Sequence, residues 1–169
     1  MKLLLTDCAT LRSNGDLSLD SLKRFGDIFE YENITRAGLL KEAADADIIL
    51  CNKTVIDKEV FDAAEKLKYI GLFATGYNNI DIEYAKQKGV TVCNAGSYST
   101  DAVTQQVIGY ILIHYTAIPE YNEFVKNGGW KKSAVFSPLV FFSDEVAAKT
   151  LGIVGYGRIR KSVGKAGKG

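Results

Sequence analysis

The first 93 residues alternate short apolar runs with amphipathic segments, and this rhythm constrains the fold more than any other feature of the chain. Residues 2–6 (KLLLT) read as a fully buried strand, and residues 19–25 as a short helix that Ser18 could cap. Residues 27–32 set Ile28, Phe29 and Tyr31 among acids, the pattern of a strand at a sheet edge. Residues 35–46 put Leu39, Leu40, Ala43 and Ala44 on one side of a helix. The run DIILCN at 47–52 is a short strand. Residues 57–67 place Val60, Phe61, Ala64 and Leu67 at three- and four-residue spacing, which predicts a helix. A strand at 69–74, a helix at 81–88 closed by Gly89, and a strand at 90–93 complete the series.

Five strands separated by helices pair in parallel, with helices on both faces of the sheet. The expected class is α/β, and the simplest doubly wound solution is the flavodoxin-like order 2-1-3-4-5. Such sheets bind ligands beyond the carboxyl ends of their strands. The loops at 7–17, 52–55, 75–79 and 94–98 therefore form the functional rim.

A chain of 169 residues can bury roughly 70% of its unfolded surface, enough for one domain or one domain and part of another. A net charge of +1 gives no general attraction to nucleic acid or anionic membrane. The basic tail, with Arg158, Arg160, Lys161, Lys165 and Lys168, lacks the interleaved aromatics of a nucleic-acid surface. The first residues carry too short an apolar run for a signal peptide, and no stretch approaches a membrane span, so a cytoplasmic location is expected. Cys8, Cys51 and Cys93 match no zinc spacing and sit in or beside apolar runs. They are expected to be small buried hydrophobes, with no metal site.

From Asp101 to Lys126 the rhythm changes. Val103, Val107, Tyr110, Ile111, His114 and Ile118 follow helical spacing, and Ser99, Thr100 and Asp101 offer caps. The helix would span about 39 Å, with a kink or interruption at Pro119. That is more than a compact α/β unit needs, and it implies a bridge to a second domain or a dimer face. After Gly128-Gly129 the chain is irregular until residues 151–154, which read as a new strand feeding Gly155-Tyr156-Gly157. The acid pairs Asp101/Glu120 and Asp144/Glu145 show no convergent spacing and read as caps or solvated surface.

A strand, a Gly-x-Gly-x-x-Gly turn and a helix make a pyrophosphate cradle. The first glycine permits the turn, the second lets backbone approach phosphate, and the third lets helix and strand pack closely. Gly155 and Gly157 meet the first two needs, while Arg160 stands where the third glycine belongs. The acid that holds the ribose would lie about 20 residues on, past Gly169. Gly164, Gly167 and Gly169 each weaken the following helix by roughly 1 kcal/mol against alanine. A glycine turn leading to a frayed basic tail is the alternative reading of this segment.

Three linked stretches carry a resemblance. Thr75-Gly76-Tyr77-Asn78-Asn79-Ile80-Asp81, Tyr98-Ser99-Thr100-Asp101-Ala102-Val103 and KTLGIVGYGRI at 149–159 occur in the order seen in the D-isomer-specific 2-hydroxyacid dehydrogenases. The chain resembles that family, in particular its glycerate and phosphoglycerate dehydrogenase group, up to about Ile159. The resemblance implies a substrate domain over residues 1–99 and the opening part of a Rossmann domain over residues 100–169. It implies that Thr75, Gly76 and Tyr77 hold the carboxylate of a small 2-oxo or 2-hydroxy acid. It further implies that Thr75, Gly155, Gly157, Arg158 and Ile159 contact NAD or NADP.

The family's catalytic arginine, acid and histidine follow the glycine turn, and this chain carries no counterpart, so no catalytic residue is assigned. His114 lies upstream in the long helix and reads as a core or interface residue. The expectation is a truncated oxidoreductase, inactive as it stands and a poor dinucleotide binder, or a non-enzymatic homodimer associating through Asp101 to Lys126. Two other modules of similar order fit poorly. A phosphoacceptor domain needs an aspartate where Asn52-Lys53 stand, and a flavin module needs a richer phosphate loop than Thr10, Ser13, Asn14 and Gly15 provide.

Overall fold

The computed structural model describes residues 1–12 and 15–168; Ser13 and Asn14 of the first loop, and Gly169, lie outside them. The chain forms two compact units, Met1–Ser97 and Tyr98–Gly169.

The first unit is a five-stranded parallel sheet of order β2-β1-β3-β4-β5. Its strands are β1 (Lys2–Leu5), β2 (Asp27–Glu30), β3 (Ile48–Cys51), β4 (Tyr69–Leu72) and β5 (Thr91–Cys93). This is the expected order. Three helices lie between the later strands: α1 (Arg36–Ala43), α2 (Lys58–Ala63) and α3 (Ile82–Gln87). Each starts on a side-chain cap, from Thr35, Asp57 and Asp81, accepting an amide three residues on. Gly89 follows α3 in the left-handed conformation, φ 71°, which is nearly free for glycine alone.

Period-two alternation sorts the strands onto two cores. Leu4, Ile49, Cys51, Ile70 and Leu72 pack with Leu39, Ala43, Val60, Phe61 and Ala85 of the helices. Leu3, Leu5 and Leu50 pack on the opposite face with Cys8 and Leu19. Residues 20–25 are a 3-10 helix rather than an α-helix. The segment buries too little for a full amphipathic stripe, and Phe25 stays exposed.

The second unit holds α4 (Thr100–Thr116), α5 (Ile118–Lys126), α6 (Gly129–Lys132) and α7 (Arg158–Ala166). The long helix is interrupted at Ala117, which takes φ 48°. Pro119 explains the break, because it has no N–H to donate to the carbonyl of Tyr115. That oxygen instead accepts from the amide of Asp144 at 2.8 Å. Residues 151–154 are not a strand, because no strand of this unit is available among the described residues to satisfy their backbone. Val163 is the one buried apolar side chain of this unit among the described residues. His114 is exposed rather than in a core, its ring edge-on to Tyr115. No helix is long and apolar enough to cross a membrane.

Candidate functional site

In the first unit the loops after β1, β3, β4 and β5 are joined by side chains at the carboxyl ends of the strands. Asp7, buried directly after β1, is the hub. Its carboxylate accepts from the amide of Asn52 at 2.8 and 3.0 Å, of Lys53 at 2.6 Å and of Thr54 at 2.9 Å, and from the Thr54 hydroxyl at 3.1 Å. Thr10 Oγ1 accepts from Asn52 Nδ2 at 2.9 Å. Three consecutive amides gathered on one carboxylate fix the loop after β3 without any secondary structure.

That loop in turn fixes the next one. Asn79 Nδ2 donates to the Thr54 carbonyl at 2.7 Å, and the Ile56 amide donates to the Asn79 carbonyl at 2.8 Å. The Asp81 amide returns to the Ile56 carbonyl at 3.0 Å. From the other side, the Ala95 amide donates to the Ala74 carbonyl at 3.0 Å, and Asn94 Nδ2 to the Thr75 carbonyl at 2.6 Å. The Tyr77 carbonyl accepts from the Ile80 amide at 3.1 Å.

The carbonyls of Ala74, Thr75 and Tyr77 are thus engaged, whereas the amides of Thr75, Gly76 and Tyr77 have no acceptor among the described residues. All three residues are exposed, and a Cβ on Gly76 would meet nothing within 4 Å. A groove of about 640 Å³ opens beside Tyr77, lined also by Ile82, Lys86, Cys93 and Asn94 among others. Free N–H groups in succession on an anchored loop favour an anion.

Cys8 and Cys51 are buried in the cores and do not line this groove. Burial, with the nearby Asp7 charge, pushes the Cys51 thiol up to about 12, and burial also raises that of Cys8. Cys93 departs from expectation: it is exposed, because β5 is an edge strand that nothing in this unit covers at its carboxyl end. No group of three His, Cys, Asp or Glu side chains among the described residues is placed to hold a metal ion.

In the second unit Gly155 takes φ 79°, the left-handed turn that the first fingerprint position requires. Gly157 is the N-cap of α7, with open space around it, and Arg158 and Ile159 are the first two helical residues. The acids Asp101 and Glu120 sit in the first turns of α4 and α5, and Asp144 is paired with Lys149.

Residues 8–155 match the family model described as D-isomer specific 2-hydroxyacid dehydrogenase, catalytic domain. The chain belongs to that family. A 2-hydroxyacid dehydrogenase relative, the hydroxypyruvate reductase of Blautia hydrogenotrophica, is 32% identical over 98% of this chain and 52% of its own. The glyoxylate reductase of Thermococcus litoralis is 40% identical over 79% of this chain and 41% of its own. Among solved structures, the TT0316 protein of Thermus thermophilus superposes with a TM-score of 0.82 at 28% identity, covering 99% of this chain and 53% of that one. The chain spans about half the length of the curated relatives it matches.

The 2-hydroxyacid dehydrogenase family implies a nicotinamide dinucleotide at the glycine turn, and this chain keeps the first two glycines of that turn, Gly155 and Gly157, and departs at Arg160. Arg160 Nη1 lies 2.7 Å, and its Cζ 3.3 Å, from the point a Cβ on Gly155 would take. The Arg160 side chain thus lies along Gly155, while Gly157 keeps open space. The segment leading in is not a strand, and Val154 and Tyr156 stand exposed.

Asp7, Asn79 and Asn94 went unmarked in the sequence. An aspartate closing an apolar run and asparagines in polar loops are common, and only the packed loops give them partners. The run Asn78-Asn79-Ile80-Asp81 was the one available hint, since Asn and Asp side chains bond nearby backbone.

Proposed function

We propose that this chain binds the carboxylate of a small 2-oxo or 2-hydroxy acid on the amides of Thr75, Gly76 and Tyr77. The observation that carries the reading is the row of three unused N–H groups on a loop whose carbonyls are engaged. A carboxylate accepting two or three amide bonds is held by charge-assisted hydrogen bonds, roughly twice as strong as neutral ones. Glyoxylate and hydroxypyruvate, for which the relatives are named, are the proposed acids.

The family reaction is hydride exchange between NAD or NADP and such an acid. In this reading residues 1–99 are the substrate domain and residues 100–169 the opening of the nucleotide domain. Thr75, Gly155, Gly157, Arg158 and Ile159 hold the positions that meet the cofactor. The 169-residue chain by itself offers one histidine, His114, in α4, and none of the family's proton-transfer set after the glycine turn. It is expected to bind acid without turning it over. The free thiols of Cys8, Cys51 and Cys93 agree with a reducing compartment, and the cytoplasm is the proposed location.

Calorimetric titration with glyoxylate tests the binding. The chain should take up the acid, and Gly76→Val, which crowds the open side of the loop, should weaken it by at least about tenfold. Equal affinity in the variant would remove the reading. An assay of NADH oxidation over a panel of 2-oxo acids should show no turnover by the chain alone.

A second reading rests on the second unit. Tyr110, Leu112, Ile113, Ile118 and Val125 are exposed along α4 and α5. Apolar faces of that kind mark association surfaces. We infer a homodimer in which a second copy covers the face from Asp101 to Lys126. Light scattering at micromolar concentration should give twice the chain mass, and a monomer would contradict it.

A further inference from the structure

We propose that the loop at 133–142 docks this chain on an anionic lipid surface, its exposed apolar side chains entering the headgroup layer while Lys131 and Lys132 meet the negative charge. The inference concerns the second unit and stands or falls without the carboxylate loop.

The whole chain carries too little net charge to be drawn to such a surface, but its charge is not evenly spread. The 20 residues between Glu123 and Asp144 hold Lys126, Lys131 and Lys132 and no acid. They also hold the single tryptophan, Trp130, and four phenylalanines. Lys131 and Lys132, in the last turn of α6, are exposed and form no ion pair among the described residues.

Packing divides the aromatics into anchors and tip. Phe124 of α5 lies on Gly129 of α6, where a Cβ would come within 2.3 Å of its ring. Phe141 stands edge-on to Tyr121 and Phe124, with ring centres 5.0 and 6.2 Å apart, and its carbonyl accepts from the Tyr121 hydroxyl at 3.2 Å. At the other end of the loop Trp130 Nε1 donates to the Phe136 carbonyl at 2.8 Å, and Ser133 Oγ to the Val135 carbonyl at 2.8 Å. The backbone is thus tied at both ends, yet Phe136, Leu139 and Phe142 are 85, 92 and 87% exposed. Large apolar side chains held in water by an anchored backbone mark a contact surface.

Charge selects what makes the contact. A twofold contact with another copy sets the patch against itself, and brings the lysines of both copies together with no acid of the patch to pair them. An anionic bilayer surface attracts each ammonium, and it takes up protruding apolar side chains without a matching pocket. Tryptophan and lysine are also the side chains that settle at that interface.

The experiment sediments the full chain with vesicles of equal parts phosphatidylserine and phosphatidylcholine, and with phosphatidylcholine alone. Trp130, as the single tryptophan, reports on the loop by its fluorescence. The chain is expected to bind the anionic vesicles at least about tenfold more tightly than the neutral ones. Its emission should move to the blue and be quenched by lipids brominated in the acyl chain. No binding to the anionic vesicles would overturn the proposal. Binding with unshifted, unquenched emission would overturn it equally, by placing the contact elsewhere, on the basic α7 for one. Two variants, Phe136→Ser/Leu139→Ser/Phe142→Ser and Lys131→Gln/Lys132→Gln, should each weaken binding at least about tenfold. Their thermal midpoints should stay at the parent value, since all five side chains are exposed. Parent-like binding in either variant would contradict the proposal. Light scattering supplies the last outcome: a parent dimer that the serine variant turns into a monomer would make the loop a contact between copies and overturn the lipid assignment.

Discussion

Asp7 sets the shape of the rim from a single buried carboxylate. Replacing it with alanine leaves the part-buried amides of Asn52, Lys53 and Thr54 without this acceptor. Asp7→Ala should therefore destabilise the chain by about 3 kcal/mol in denaturant unfolding, the scale of several charge-assisted hydrogen bonds lost together. A loss below about 1 kcal/mol would mean that water replaces the carboxylate. Gly26 is equally particular. It takes φ 149°, and a Cβ there would lie 2.0 Å from the Met1 carbonyl oxygen. Gly26→Ala is expected to cost about 2 kcal/mol or more, read from the thermal midpoint. The cysteines divide by burial: a disulfide-exchange reagent at neutral pH should titrate Cys93 in the folded chain, and Cys8 and Cys51 only after denaturant is added. Rapid reaction of all three thiols in the native state would contradict the core described here.

At the scale of elements, the start of the sheet is clamped by charge. Asp47, just before β3, accepts from the Lys2 amide at 2.9 Å and pairs with Lys68 at 3.0 Å, while Lys2 Nζ reaches Glu42 in α1 at 2.9 Å. The Lys2 amide, then Lys68, holds the Asp47 carboxyl below its usual range, and Lys2 holds Glu42 below its own. A depressed folded value means that the unfolded chain binds more protons as acid is added. These groups therefore stabilise the fold above the ordinary carboxylate range, and that stability is lost as pH falls through it and below. Asp47→Asn should flatten the acid limb of the stability profile, and an unchanged limb would count against the clamp. The sequence made the strands and their order legible because alternating buried runs can pair in few ways. Helix ends were less legible, because periodicity records burial and not hydrogen bonding. Leu67 is buried, yet α2 ends at Ala63, and the chain reaches Leu67 through a turn. Residues 151–154 misled for the converse reason, an apolar run being only half of what a strand needs.

At the scale of the whole molecule, the two units differ in how many apolar side chains they bury. The first has two cores and an anchored rim, and its loop at Thr75 stands out in the sequence through the run Thr75-Gly76-Tyr77-Asn78-Asn79-Ile80-Asp81, which resembles the family's. The anchoring by Asp7, Asn79 and Asn94 was not legible there, because it depends on loops far apart in sequence. The second unit buries one apolar side chain among its described residues and exposes many, which is why association of two copies is expected of it. The claim on which the account turns is that the amides of Thr75, Gly76 and Tyr77 receive a carboxylate. Amide-resolved NMR of the 169-residue chain during titration with glyoxylate measures this directly. The account predicts that the signals of Thr75, Gly76 and Tyr77 move together and saturate, with Asn94 responding as their neighbour. Saturable shifts confined to other residues, or no shifts at all, would contradict it.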